Sequence, residues 1–148
     1  MAAFDYRLAE DIRAAFDRHK CRYLFIGKSG AVLLGFPDAT QAAELFVEKS
    51  PANGDALVSA LRELAFALTD EEAAEIRRGK DFVQLKNGPF DLDLVFAPDG
   101  IERFTDAWSR RVVADGYPVC HLDDIIASKA ASNRQKDRES LPPPPIVP

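Results

Sequence analysis

The sequence predicts a single α/β (α+β) domain, a mixed β-sheet flanked by helices, and three observations carry that expectation. Helix-period and strand-period segments alternate along the chain without strict βαβ regularity. From Asp81 the period changes to two, and Asn87-Gly88 then divides two apolar runs in the manner of a β-hairpin. The chain has 148 residues, 47% of them apolar and 29% charged, which suits one globular core and argues against wholesale disorder. The domain is expected to span residues 1–141, with a sheet of about four or five strands. Residues 142–148, Pro-Pro-Pro-Pro-Ile-Val-Pro, are expected to form an extended tail outside it.

The elements follow in order. Leu8, Ile12 and Phe16 share one helical stripe between Asp5 and His19. Tyr23-Leu24-Phe25-Ile26 reads as a buried strand, and Gly27-Lys28-Ser29-Gly30 as a tight turn. Ala31 to Leu34 reads as a short helix closed by Gly35, followed by a loop at Pro37-Asp38. Leu45-Phe46-Val47 is a second strand. Ser50 before Pro51 is an N-cap followed by a proline whose missing N–H costs nothing, and Leu57, Ala60, Leu61 and Leu64 continue the helix. Thr69 with Glu72 makes a capping box for a further helix ending near Gly79. Phe82 to Lys86 and Phe90 to Phe96 are the two arms of the expected hairpin. Ile101, Phe104 and Trp108 suggest a helix, Val112-Val113 and Val119-Cys120 short strands, and Leu122 to about Leu141 a final helix.

Nineteen Lys and Arg against twenty-four Asp and Glu leave a net charge of −5, which disfavours a protein that grips nucleic acid through its bulk charge while leaving room for a local basic patch. No apolar run reaches the roughly 18 residues a membrane span needs, and the acidic N-terminal stretch lacks a signal-peptide layout. No membrane partner is expected, and the cytoplasm is the expected compartment. Cys21 and Cys120 are the only cysteines and read as core residues; neither they nor His19 and His121 have zinc-type spacing. No Gly-x-Ser-x-Gly elbow marks a hydrolase.

Three places hold candidate chemistry. Gly27-Lys28-Ser29-Gly30 joins a strand to a helix, where glycines admit close approach and a helix start offers N–H groups to an anion. Its Gly-Lys-Ser is not a Walker A loop, because the first glycine of that motif would fall at Arg22 and residues 23–26 are strand. It is either a phosphate contact of another design or a plain tight turn. Asp91 and Asp93 alternate with Phe90, Leu92, Leu94 and Phe96, so they share one strand face about 7 Å apart. Aspartate is a poor strand residue, and the pair is either a solvated face or a divalent-cation site. Glu44 sits similarly beside Leu45-Phe46-Val47, on the face shared with Ala42. Lys129 follows Leu122, Ile125 and Ile126 at the i+7 position of a stripe expected to point inward; it either snorkels to the rim or presents its charge to a cleft.

In sequence, Phe25-Ile26-Gly27-Lys28-Ser29-Gly30-Ala31, Thr40-Gln41-Ala42-Ala43-Glu44-Leu45-Phe46-Val47, Asp91-Leu92-Asp93-Leu94-Val95 and Leu122 to Asp137 around Ser128-Lys129 form an ordered set. That set resembles the nucleotidyltransferase fold of the DNA polymerase β-like superfamily, and in particular its small bacterial members linked to toxin–antitoxin and defence systems. The resemblance implies a nucleotidyltransferase-like mixed sheet and transfer of a nucleoside monophosphate from an NTP, with two Mg²⁺ ions, to an RNA end such as tRNA, a protein or a small molecule. It also implies a possible antitoxin-like protein partner. By the same resemblance Glu44 and Asp93 are catalytic metal ligands, and Gly27, Lys28, Ser29, Gly30 and Lys129 contact the nucleotide. The first acidic position of the family pattern falls on Ala42, which has no carboxylate. Impaired transfer is therefore expected, or a catalytically silent module that works through a partner protein.

Overall fold

The computed structural model describes residues 3–140, with side-chain surroundings through residue 133; the Pro-rich segment 142–148 lies outside the described residues. Among these residues are six helices and six strands in one mixed sheet. Helix α1 (Tyr6–Arg18) is capped by Asp5, whose carboxylate accepts the Leu8 N–H at 3.0 Å, and it buries Ile12 and Phe16. Strand β1 (Tyr23–Phe25) runs straight into helix α2 (Gly27–Leu33). The turn expected at residues 27–30 is thus the first turn of the helix itself, because one residue, Gly27 at φ +64°, reverses the chain.

Strand β2 (Ala43–Val47) leads to helix α3 (Pro51–Glu63), capped as expected by the Ser50 hydroxyl. Helix α4 (Asp70–Arg78) carries the full Thr69–Glu72 capping box and stops at Gly79 in the left-handed conformation. Strands β3 (Phe82–Leu85) and β4 (Leu92–Val95) pair antiparallel with Leu85 opposite Leu92. Six residues, 86–91, therefore separate them, and the two-residue Asn-Gly turn expected from the sequence does not form. Gly88 is not at positive φ. A Cβ there would sit 2.2 Å from the Phe66 ring, so this glycine makes room for an aromatic contact instead of a turn. Phe90, edge-on to Phe66 at 5.1 Å, completes that packing.

Helix α5 (Phe104–Arg110) starts at Phe104, with Ile101 buried in the preceding loop. Strands β5 (Val112–Ala114) and β6 (Tyr117–Val119) form the molecule's tight hairpin: Ala114 pairs with Tyr117 across Asp115 and Gly116, whose φ values are +51° and +87°. Two positive φ values suit the right-handed twist of the flanking strands. This hairpin takes the strand number to six, above the four or five expected. Helix α6 (Leu122–Ser140) closes the described chain.

The strand order is β3-β4-β2-β1-β6-β5, with β2–β4 and β1–β6 parallel and the other pairs antiparallel. Alternation divides the sheet into two faces. Ala43, Leu45 and Val47 point to one, where Tyr23 meets Phe16 of α1 edge-on at 5.1 Å. Glu44 and Phe46 point to the other, where Phe46 meets Phe104 of α5 at 5.1 Å. The row of side chains on this second face holds the polar residues that matter below. No helix among the described residues is long and apolar enough to cross a membrane.

Candidate functional site

Parallel pairing of β2 with β4 puts Glu44 directly beside Asp93. The two strands are about 4.8 Å apart, so the carboxylates share one row on one face. Gln84 of β3 is the next member of that row, opposite Asp93. On the other side, the Glu44 carboxylate folds back over Gly27: a Cβ on Gly27 would lie 1.8 Å from Glu44 Oε2. A side chain at residue 27 would have to push this carboxylate aside, and the positive φ there strains any residue but glycine.

Both acids resist ionisation. Burial pushes the Glu44 carboxyl above its usual range, and the adjacent Asp93 charge pushes in the same direction. Burial likewise raises Asp93; the Gln84 amide beside it and the positive charge of Lys86 draw it back, while Asp91 adds to the rise. Two like charges held half-buried and side by side repel one another and cost stability. Hard carboxylate oxygens in that state suit a divalent cation.

The remaining expected residues fall out differently. Ala42 immediately precedes β2 and contributes no oxygen to the row, and Asp91 lies just outside β4, its carbonyl accepting the Ala43 N–H at 3.0 Å. Among the described residues no group of three or more His, Cys, Asp or Glu side chains is arranged to hold a metal. Asp38, in the loop before β2, is exposed and turns its carboxylate onto the Ala39 N–H. Ser29 is 1% exposed, and its hydroxyl accepts the Glu44 N–H at 3.0 Å while facing the carbonyls of Ile26 and Glu44 at 2.9 and 3.2 Å. The Ser29 hydroxyl fastens α2 to β2 at the backbone of Glu44. Lys28 is exposed at the start of α2, and Gly30 is buried, 3.1 Å from Ile125 Cδ1 at its Cβ position.

Lys129 does not lie on a buried stripe. Of the expected inward set, Ile125 is buried, Leu122 is half-buried, and Ile126 is 55% exposed, as Lys129 is exposed. The helix is rotated because Asp124, not Ile126, turns inward, held by Arg110 at 2.9 and 3.0 Å. Lys129 sits one turn beyond Ile125, on the rim. Sequence reasoning did not single out Gln84 and Lys86; the signal available was their exposed, period-two placement opposite the buried Val83 and Leu85. Cys21 and Cys120 are buried free thiols pushed up to about 12 chiefly by burial, as core cysteines are.

No family model matches the chain, and neither a curated protein nor a solved structure matches it.

Proposed function

We propose that the chain is a nucleotidyltransferase-like protein that holds a divalent cation and an NTP at the Glu44–Asp93 pair, with its transfer of NMP impaired by Ala42. The observation that carries the reading is the adjacency of Glu44 and Asp93 beneath Gly27, on parallel strands far apart in sequence. The donor set fits one divalent cation, since two carboxylate oxygens from neighbouring strands leave room for phosphate and water ligands. It does not fit a pair of ions, because Ala42 supplies no oxygen to share between them. A bound cation, Mg²⁺ by expectation, supplies positive charge against the NTP phosphates. Glu44 and Asp93 orient it, Gln84 and Lys86 flank Asp93, and Ser29 fixes the Glu44 backbone.

The acceptor class within this reading is an RNA end such as tRNA, a protein hydroxyl or a small molecule. The missing oxygen at Ala42 also favours a second reading, a catalytically silent module that binds nucleotide or a partner protein without transfer. One experiment separates them. Ala42→Asp adds the third acid, and transfer of labelled NMP in Mg²⁺, assayed with each NTP and mixed cellular RNA, is expected to rise at least tenfold over the parent chain. No gain, with NTP and Mg²⁺ still raising the melting temperature of both proteins, supports the silent module. No thermal response to either ligand removes both nucleotide readings.

A further inference from the structure

At the far end of β3 from Gln84, a cleft of about 690 Å³ is lined by Lys49, Arg78, Gly79, Lys80, Asp81 and Phe82. Phe82 is 45% exposed, an uncommon place for a phenyl ring, on the strand that is the sheet's edge among the described residues. Lys49 lies across the cleft with its stem against Gly79, where a Cβ would come 2.6 Å from Lys49 Cγ. Lys49 and Arg78 form no ion pair among the described residues, while Lys80 is 3.2 Å from Glu75. With Lys80 matched by Glu75, the cleft wall carries two further cations, Lys49 and Arg78, against Asp81, in a chain whose net charge is −5. The last-turn position of Arg78 on α4 accounts for one cation through the helix dipole. It accounts for neither Lys49, which belongs to another segment, nor the exposed ring.

We propose that this cleft binds a single-stranded nucleic acid, with phosphates at Lys49 and Arg78 and a base stacked on Phe82. Cations around an uncovered aromatic ring match both parts of such a ligand, its charged backbone and its planar bases. A duplex satisfies only the first part, since its base faces are already stacked. An acidic peptide likewise offers charge without a planar face. The proposal stands on the cleft and does not depend on transfer chemistry at Asp93, two residue pairs from Phe82 along β4, or at Glu44 beside it on β2.

Fluorescence anisotropy on the full chain tests it, using a labelled mixed-sequence RNA of about 12 nucleotides, the matching duplex and a polyglutamate peptide of equal length. Binding of the single strand is expected in the range of about 10⁻⁶–10⁻⁴ M and to weaken with salt, log K falling by about 0.7 per phosphate contact for each unit of log salt. Lys49→Gln with Arg78→Gln is expected to flatten that slope and weaken binding about tenfold. Phe82→Ala is expected to weaken binding about tenfold with the slope unchanged. Phe82→Leu, which keeps apolar bulk on the strand, is expected to do the same. Arg7→Gln on the exposed side of α1 is expected to change neither quantity. Absence of saturable binding, equal affinity for the duplex or the peptide, or indifference to both Phe82 variants would overturn the proposal.

Discussion

Glu63, at the end of α3, lies in the fork of Arg18, whose Nε–H donates at 2.9 Å, with His19 at 3.2 Å. Arg18 holds its carboxyl down at about 2, and His19 helps. Glu44, on β2, has Asp93 as its neighbour and a buried setting, and its carboxyl is pushed up. The same side chain is matched by a cation in one region and by a second anion in the other. Glu63 is neutralised at the surface, whereas Glu44 makes no ion pair among the described residues. The difference is one of energy: Glu63 contributes to stability where it stands, while burial and a neighbouring acid make an ionised Glu44 costly.

Three substitutions break or sharpen this contrast. The largest effect is expected at Gly27, which makes the Glu44 geometry possible. Gly27→Ala forces a left-handed φ on a residue with a side chain and drives the new Cβ into the Glu44 carboxylate. A loss of about 2–3 kcal/mol is expected in a denaturant titration. Adding Glu44→Ala should return part of it by removing the clash, and a double variant no better than the single one would show that backbone strain alone is responsible.

Next comes Glu44→Gln, expected to stabilise the chain by about 0.5–2 kcal/mol at neutral pH. The sign follows from the raised folded pKa. Below the ordinary value near 4.5 the acid is protonated in both folded and unfolded chains, so the two proteins converge there. As pH rises from that value through the raised folded pKa, the parent loses stability relative to the variant. Melting curves across this window, with and without Mg²⁺, check it: the cation should narrow the gap by stabilising only the parent. A variant less stable than the parent at pH 7 would mean that Glu44 is a structural acid after all.

The smallest effect is expected from Glu63→Gln, of opposite sign. The depressed pKa means that the Glu63 contribution is present above about 4.5 and is lost as pH falls toward about 2. Because the ion pair is exposed to solvent and salt, the neutral-pH melting temperature should fall only slightly, and added salt should erase the difference. A loss at Glu63 larger than the gain at Glu44 would invert the comparison.

What the sequence determined by itself was local. Caps at Asp5, Ser50 and Thr69–Glu72, the stop at Gly79, and the apolar stripes of α1 and α3 each depend on residues within a few positions of one another. So element types and the mixed α/β class were legible, as was the placing of Glu44 and Asp93 on strands. Tertiary structure decided the rest. Asn87-Gly88 has the composition of a tight turn, yet Phe66 uses the glycine as a seat and the loop widens to six residues, while Asp115-Gly116 folds the tight hairpin. Ile126 fits the inward stripe of α6 by spacing, yet the Asp124–Arg110 ion pair rotates the helix and leaves both Ile126 and Lys129 outside. Ser29 holds the backbone of Glu44 only because β2 lies against α2, which its own neighbours in sequence do not show. Above all, Glu44 and Asp93 stand 49 positions apart, and only the parallel register of β2 and β4 makes them neighbours. Pairing between distant strands is fixed by the burial of the whole sheet, a property no local window contains.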